Sequence, residues 1–417
     1  MAKITKFHKA DYCKLCLSKQ LELRIKLAPT PPAEWYYKPE DKNLNKFLVP
    51  LDLYQCKECG HAQLVDIISP DVLYSNYFYT SESSPGLKEY FEESVLEVIN
   101  RLNFDGNQTI LDIGSNDGTF LKFFKNKGYR VVGVEASKEL SKGAVADGID
   151  TLNCFFDKSI IPKIISSYGK LDLVTANNVF AHNEHLSVML DCVAAILSDR
   201  GYFVFEVSYL YDTIINNVFD FIYHEHVSYH SVKPLTTFMN RAGLQLFHVE
   251  RTPSKGGTIR CFAAKKTNSR IKVNSSINDL IVLEDSAGLY EKQVYDRMQI
   301  NIKKYGIKFR ENLQALKLQN LKIAGYGASA TVTTLIHQFE ISDFIDFLVD
   351  DNPVRQGTLS PGYHIPVLHP DAIEIENVDV VAILAWRFED QIIARNRKLF
   401  SKRQIVVPNL RNGNFYD

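Results

Sequence analysis

A chain of 417 residues has room for two or three domains, and 45% hydrophobic with 23% charged residues is globular composition, which excludes a disordered, collagen-like or coiled-coil protein. Lys plus Arg (48) almost cancels Asp plus Glu (49), so a net charge of −1 offers no global field for nucleic acid or anionic membrane. The first dozen residues lack an apolar stretch of signal-peptide type and no run approaches the ~18 apolar residues of a membrane span, which predicts a cytoplasmic protein.

In chain order, residues 1–70 read as a small metal-stapled module containing the turn-rich Pro29-Thr30-Pro31-Pro32. Residues 71–270 follow as an α/β domain, in which the runs QTILDIG, YRVVGVEA, LDLVTANNV, GYFVFEVS and GTIRCFAAK alternate with helical patterns and predict a mostly parallel sheet. Residues 271–318 form a helical connector, where Val294, Met298, Ile302, Tyr305, Phe309, Leu313 and Leu316 recur every three or four positions. Strand–helix alternation then resumes over 319–417 with LKIAGYGA, FIDFLVDD, VDVVAILAW and RQIVVPN, a second, Rossmann-like unit.

Seven cysteines are an odd number, and four of them form the pairs Cys13-Lys-Leu-Cys16 and Cys56-Lys-Glu-Cys59, while Cys154, Cys192 and Cys261 stand alone. This suits metal binding with free thiols better than a disulfide framework. Two knuckles of two thiolates make an all-sulfur tetrahedral site, so structural zinc on Cys13, Cys16, Cys56 and Cys59 is predicted. The alternative, a thioredoxin-like redox pair, would place a CxxC after a strand in a βαβ setting, which neither pair has. His61, close behind Cys59, reads as a surface or packing residue.

The stretch Ile110-Leu111-Asp112-Ile113-Gly114-Ser115-Asn116-Asp117-Gly118-Thr119 is a buried strand entering a glycine-bearing turn and then a helix. Its pattern is DxGxxxG, not the GxGxxG that lets a pyrophosphate approach a helix N-terminus. An acid at the strand end repels phosphate but suits a cationic aminoacyl group such as the methionine moiety of S-adenosylmethionine. The next strand ends in Glu135, whose carboxylate can take both hydroxyls of a ribose. The pattern resembles the class I S-adenosylmethionine-dependent methyltransferases, a fold in which Asp172 to Asn178 would be the next strand lining the cofactor.

From 201 to 230, nine of thirty residues are Phe or Tyr, and Tyr223-His224-Glu225-His226 adds ionisable groups to this aromatic block. The i, i+4 histidines of an HExxH zinc protease are absent. General acid/base work, for which histidine titrates in the useful range, is the favoured reading over hydrogen-bonded core histidines. On an extended backbone His224 and His226 would share a face.

A closer resemblance rests on Tyr77-Phe-Tyr79-Thr-Ser81, LDIGSNDGTFL, Asn177-Asn178-Val-Phe-Ala-His182, Glu206-Val-Ser-Tyr209, Tyr223-His-Glu-His226, Gly256-Gly257-Thr258-Ile259-Arg260, Tyr326-Gly327-Ala328 and Asp351-Asn352-Pro353-Val354-Arg355-Gln356-Gly357, in this order. These resemble the motifs of the sugar C-methyltransferases, which put a branching methyl on nucleotide-linked deoxysugars. The resemblance implies a zinc-binding N-terminal domain, a methyltransferase core and a Rossmann-like C-terminal domain. It further implies S-adenosylmethionine held by Tyr79, Ser81, Asp112, Gly114, Asn116, Gly118, Glu135, Asn177 and Asn178. His226 would be the base that forms an enolate next to a 4-keto group, with Tyr223, Glu225 and His182 around it and Tyr77 at the cofactor–sugar junction. Lys255, Arg260, Tyr326 and Arg355 would contact a nucleotide-diphosphate sugar, with no nucleic acid or membrane partner, and a monomer would suffice.

Two departures stand out: Lys255 precedes Gly-Gly where the family more often has histidine, and Arg387 follows Trp386 where it more often has asparagine. Both bear on recognition of sugar or phosphate. Two other readings compete: an NAD-dependent nucleotide-sugar oxidoreductase or epimerase using Gly325-Tyr-Gly327-Ala-Ser-Ala330, and a non-catalytic zinc-bearing binding protein.

Overall fold

The computed structural model describes residues 7–41, 47–73, 81 and 86–410. The N-terminal part consists of β1 (Phe7–Lys9), β2 (Leu21–Ile25), β3 (Leu53–Cys56), β4 (Ala62–Leu64) and β5 (Asp66–Ile68), with β1 against β5 and β2, β3 and β4 in an antiparallel sheet. The second cysteine pair lies on the β3–β4 hairpin.

The central sheet collects β6 (Thr109–Ile113), β7 (Arg130–Glu135), β8 (Thr151–Asn153), β9 (Leu171–Asn177), β10 (Leu197–Ser208), β12 (Leu244–Thr252) and β13 (Thr258–Lys265) in the order β12-β13-β10-β9-β6-β7-β8. The five strands from β10 to β8 are parallel, and β13 runs antiparallel between β10 and β12. Helices cover both faces, so β6 and β9 are buried almost throughout. Helix Leu87–Leu102 illustrates the covering: Leu87, Phe91, Val95, Val98 and Leu102 are buried at helical spacing, and the helix ends where Asn103 turns left-handed at φ 52°.

The connector is two helices, Ser276–Ser286 and Lys292–Lys317. Beyond them β14 (Ile323–Tyr326), β15 (Phe347–Val349), β16 (Val367–Leu368), β17 (Val380–Ile383) and β18 (Gln404–Val406) form an all-parallel sheet of order β16-β15-β14-β17-β18. The short β11 (Ser228–Tyr229) belongs to none of its sequence neighbours: it adds to the N-terminal sheet, with Ser228 opposite Gln63 and Tyr229 opposite Ala62. The segment carrying Tyr223 to His226 thus runs straight into the sheet that the cysteine hairpin supports. Among the described residues, no helix is long and apolar enough to cross a membrane.

Candidate functional site

The four predicted metal ligands come together, their sulfurs all within 4.8 Å of one another. The Sγ–Sγ separations are 3.6 Å for Cys13–Cys59 and 3.4 Å for Cys16–Cys56. A tetrahedron with zinc–sulfur bonds of about 2.3 Å requires sulfurs about 3.8 Å apart, so this set fits zinc. Cys154, Cys192 and Cys261 stay free. His61 is a packing residue, fully buried with its Nε2 3.2 Å from Ser228 Oγ.

At the carboxyl end of β6 the chain takes left-handed values at Gly114 (φ 67°), Asn116 (φ 52°) and Gly118 (φ 76°). A Cβ on Gly114 would lie 2.5 Å from Val179 Cγ2, so only glycine fits there. Glu135, at the end of β7, shapes the turn by accepting the backbone N–H of Asn116 (2.9 Å) and of Ser137 (2.7 Å). Asn116 Oδ1 in turn accepts the backbone N–H of Ser81 (3.0 Å) and of Asp117 (2.9 Å). Asp112 is buried and accepts from Thr175 Oγ1 at 2.6 Å, and burial lifts its carboxyl to about 7. The Nδ2 of Asn177, at the end of the neighbouring β9, is buried without a hydrogen-bond partner among the described residues, and Asn178 beside it is left-handed at φ 55°.

This crevice lies where the strand order reverses between β6 and β9, the place for a ligand in an open α/β sheet. A glycine-lined turn, an acid on the next strand and an unsatisfied amide donor fit S-adenosylmethionine. Tyr77 and Tyr79 lie outside the described residues.

The histidine block sits against the same sheet edge. After Asn178, Val179 packs over Gly114 and leads into a 3-10 turn, Phe180–His182, whose histidine ring lies 5.0 Å, centre to centre, from that of His226. Residues 223–226 are a tight turn closed by His226 N–H donating to Tyr223 O at 2.9 Å, not an extended segment, so His224 and His226 do not share a face. The His226 Nδ1 lies 3.1 Å from the Phe221 carbonyl, which can only accept, so Nδ1 carries the proton. The lone pair is then on Nε2, 3.0 Å from the Tyr223 hydroxyl that donates to it. Burial, the His182 ring and Lys255 together hold His226 neutral well below the usual histidine range. His182 is lowered to about 4 by burial and Lys255.

His224 and Glu225 point elsewhere. His224 Nε2 lies 3.2 Å from the Pro50 carbonyl, and the buried Glu225 carboxylate faces the backbone of Ala33 and Glu34, its Oε2 without a hydrogen-bond partner among the described residues. Burial and the charge of Glu34 push Glu225 up to about 7. Both residues therefore face the N-terminal module, His224 bonded to it, whereas the expectation grouped Glu225 with the base.

Three residues expected at the substrate are occupied inside the protein. The Arg260 guanidinium, 4% exposed, donates to Glu206, Glu97, Glu250, Tyr90 and Ser94. Tyr326 is buried, its hydroxyl donating to Asp351 (2.8 Å) and accepting from Asn396 (3.0 Å). Arg355 pairs with Glu34 (3.0 Å) and lies 3.5 Å from Asp350. Lys255 does face the histidines electrostatically, from a left-handed turn at φ 51°.

Glu34 was not singled out by its sequence. Its carboxylate accepts the Ala330 N–H at 3.1 Å, and Asp350 accepts the Ala328 N–H at 2.7 Å, so acids already fill the first turn of helix Ala330–Phe339, where the phosphates of an NAD would go.

Seven strands in this order, with a glycine turn and an acid at adjacent strand ends, define a class I methyltransferase whose cofactor is S-adenosylmethionine, fused here to a zinc module and a second Rossmann-like sheet. Three family models match in succession: a zinc binding domain over residues 13–74, a methyltransferase domain over 87–249 and a C-methyltransferase C-terminal domain over 253–408. The C-methyltransferase NovU of Streptomyces niveus is 28% identical over 400 residues, 95% of either chain. The chain is thus similar to a C-methyltransferase along nearly its whole length. Among solved structures, the magnesium protoporphyrin IX methyltransferase of Synechocystis with bound S-adenosylhomocysteine is 14% identical with a TM-score of 0.34, covering 43% of this chain and 83% of that one. The PH0226 protein of Pyrococcus horikoshii is 14% identical with a TM-score of 0.36, covering 46% and 98%.

Proposed function

We propose that this C-methyltransferase methylates a carbon next to the ketone, C3, of a nucleotide-diphosphate 4-keto deoxysugar, with His226 as the base. The observation that carries the reading is the continuity from Gly114 through Val179 and His182 to His226, which joins the cofactor turn to a neutral imidazole at one sheet edge. The 4-keto group acidifies the neighbouring C–H bond. His226 Nε2 takes that proton while Nδ1–H stays on the Phe221 carbonyl, and the C–H electron pair becomes the enolate. Tyr223 O–H, displaced from Nε2, is the donor within reach of the enolate oxygen. S-adenosylmethionine supplies the methyl cation equivalent, the enolate carbon forming the new bond as the sulfur regains its pair. Glu135 and Asn177 would hold the ribose and aminoacyl ends, and the acids at helix Ala330–Phe339 disfavour NAD at the second Rossmann-like turn.

A panel of nucleotide 4-keto sugars screened by mass spectrometry should give one substrate that gains a methylene mass. With that substrate and S-adenosylhomocysteine in heavy water, the native enzyme should wash deuterium into the carbon next to the ketone. His226→Gln should lower both exchange and methylation about 10²–10⁴-fold and leave S-adenosylhomocysteine binding intact. Methylation by the glutamine variant within a few-fold of native would place the base elsewhere.

A further inference from the structure

Arg387, expected at the sugar or phosphate, is instead bound to a buried carboxylate. Its Nη1 lies 2.7 Å from both oxygens of Asp220, and the side chains are 10% and 1% exposed. Trp386 Nε1 donates to the same carboxylate at 2.9 Å. Both donors come from the 3-10 turn Trp386–Phe388 beyond β17, at the carboxyl edge of the C-terminal sheet. The acceptor belongs to the 3-10 turn Phe219–Phe221, the one that ends in the carbonyl holding His226 Nδ1.

The packing repeats the connection. The Arg387 guanidinium lies 4.9 Å from the centre of the Phe221 ring, and that ring is 5.3 Å from His226. The arginine also backs the Lys255 loop, since a Cβ on Gly256 would meet Arg387 Cδ at 3.1 Å. A buried carboxylate with two oxygens needs about this many donors. Asp220 thus fixes the turn only while the C-terminal residues satisfy it.

We infer that the Asp220–Arg387 pair is a positioning device that holds the Phe221 carbonyl in place and so keeps the proton of His226 on Nδ1 and its lone pair on Nε2. This deepens the proposed function, since the base in question is the same. Arg387 touches neither cofactor nor substrate in this role; it acts through Phe221. It also makes the C-terminal sheet a contributor to the chemistry at a residue 161 positions earlier (387 against 226).

The test reads the imidazole itself. In protein with ¹⁵N-labelled histidine, the resonance lost in His226→Gln should report a protonated Nδ1 and a bare Nε2 at pH 7. In Arg387→Gln that resonance should move toward a mixture of tautomers, with kcat roughly 10- to 100-fold lower and KM within about twofold, as for a misplaced group. Arg387→Lys, which restores a cation to Asp220, should return most of the native spectrum. Should Arg387→Gln fail to fold, Asp220→Asn, of native shape, carries the same two readouts. An unchanged His226 resonance in the folded variant would overturn the inference, whatever the activity. If native enzyme shows the Nδ1–H tautomer but methylates no 4-keto sugar, the proposed function falls while this inference stands.

Discussion

Glu135 accepts two backbone N–H groups of its own turn and, on the proposed function, the ribose hydroxyls of the cofactor as well. Glu135→Ala removes a charged acceptor from ribose hydroxyls and loosens Asn116, so affinity for S-adenosylhomocysteine should fall by about 1–3 kcal/mol. Calorimetry finding native affinity would take Glu135 out of the site. His230 presents the opposite case, an imidazole with neither nitrogen hydrogen-bonded among the described residues, packed 5.5 Å from the Phe180 ring and 5.3 Å from His61. Burial lowers it to about 3, against about 6.5 in an unfolded chain. Between those values the unfolded chain binds a proton that the folded one refuses, so this contribution to stability is complete above 6.5 and is lost as the pH falls. From pH 7 to 5.5 the loss is about 1 kcal/mol. His230→Leu should lose that much less stability over the interval in urea titrations at the two pH values, and an identical loss in both proteins would show that His230 is not the sensor.

The turn at 223–226 is short, and its neighbours come from distant parts of the chain: Pro50 and Ala33 before it, Gln63 beside β11, and Trp386 and Arg387 behind. Glu34 is the hinge between two of these, joining the Glu225 backbone contacts to Arg355 and the Ala330 N–H. Glu34→Ala leaves a buried guanidinium with only the more distant Asp350, and should cost about 2 kcal/mol of stability. An unfolding midpoint unmoved by the substitution would mean that Asp350 alone suffices. Elements of this kind explain what could be read from the chain. Strands β6, β7, β9, β10 and β13 are apolar runs flanked by turn residues, and each is legible alone, as are the CxxC pairs and the glycine turn. The strands Thr151–Asn153, Leu244–Thr252 and Val367–Leu368 were not predicted, being short or broken by polar residues. The partners of Arg260, Arg355 and Arg387 lie up to 321 residues away, and no local pattern tells an arginine aimed at a ligand from one aimed at a distant acid.

Zinc is remote from the proposed chemistry in sequence but not in architecture. Cys56 closes β3, β4 follows the knuckle, and β11 pairs with β4 two residues beyond His226. Cys56→Ser should therefore lower zinc content, solubility and kcat together, while the isolated cofactor turn keeps its ligand. Zinc retained undiminished in a variant with all four cysteines replaced by serine would sink the metal assignment. The shared strand β11 also constrains how such enzymes can be recombined. A chimera that joins the N-terminal module of one relative to the methyltransferase core of another would keep the other sheets intact and still align β11 and its turn against a foreign hairpin, so substrate range should transfer between relatives only when β2–β4, residues 219–229 and Trp386–Phe388 travel as one unit.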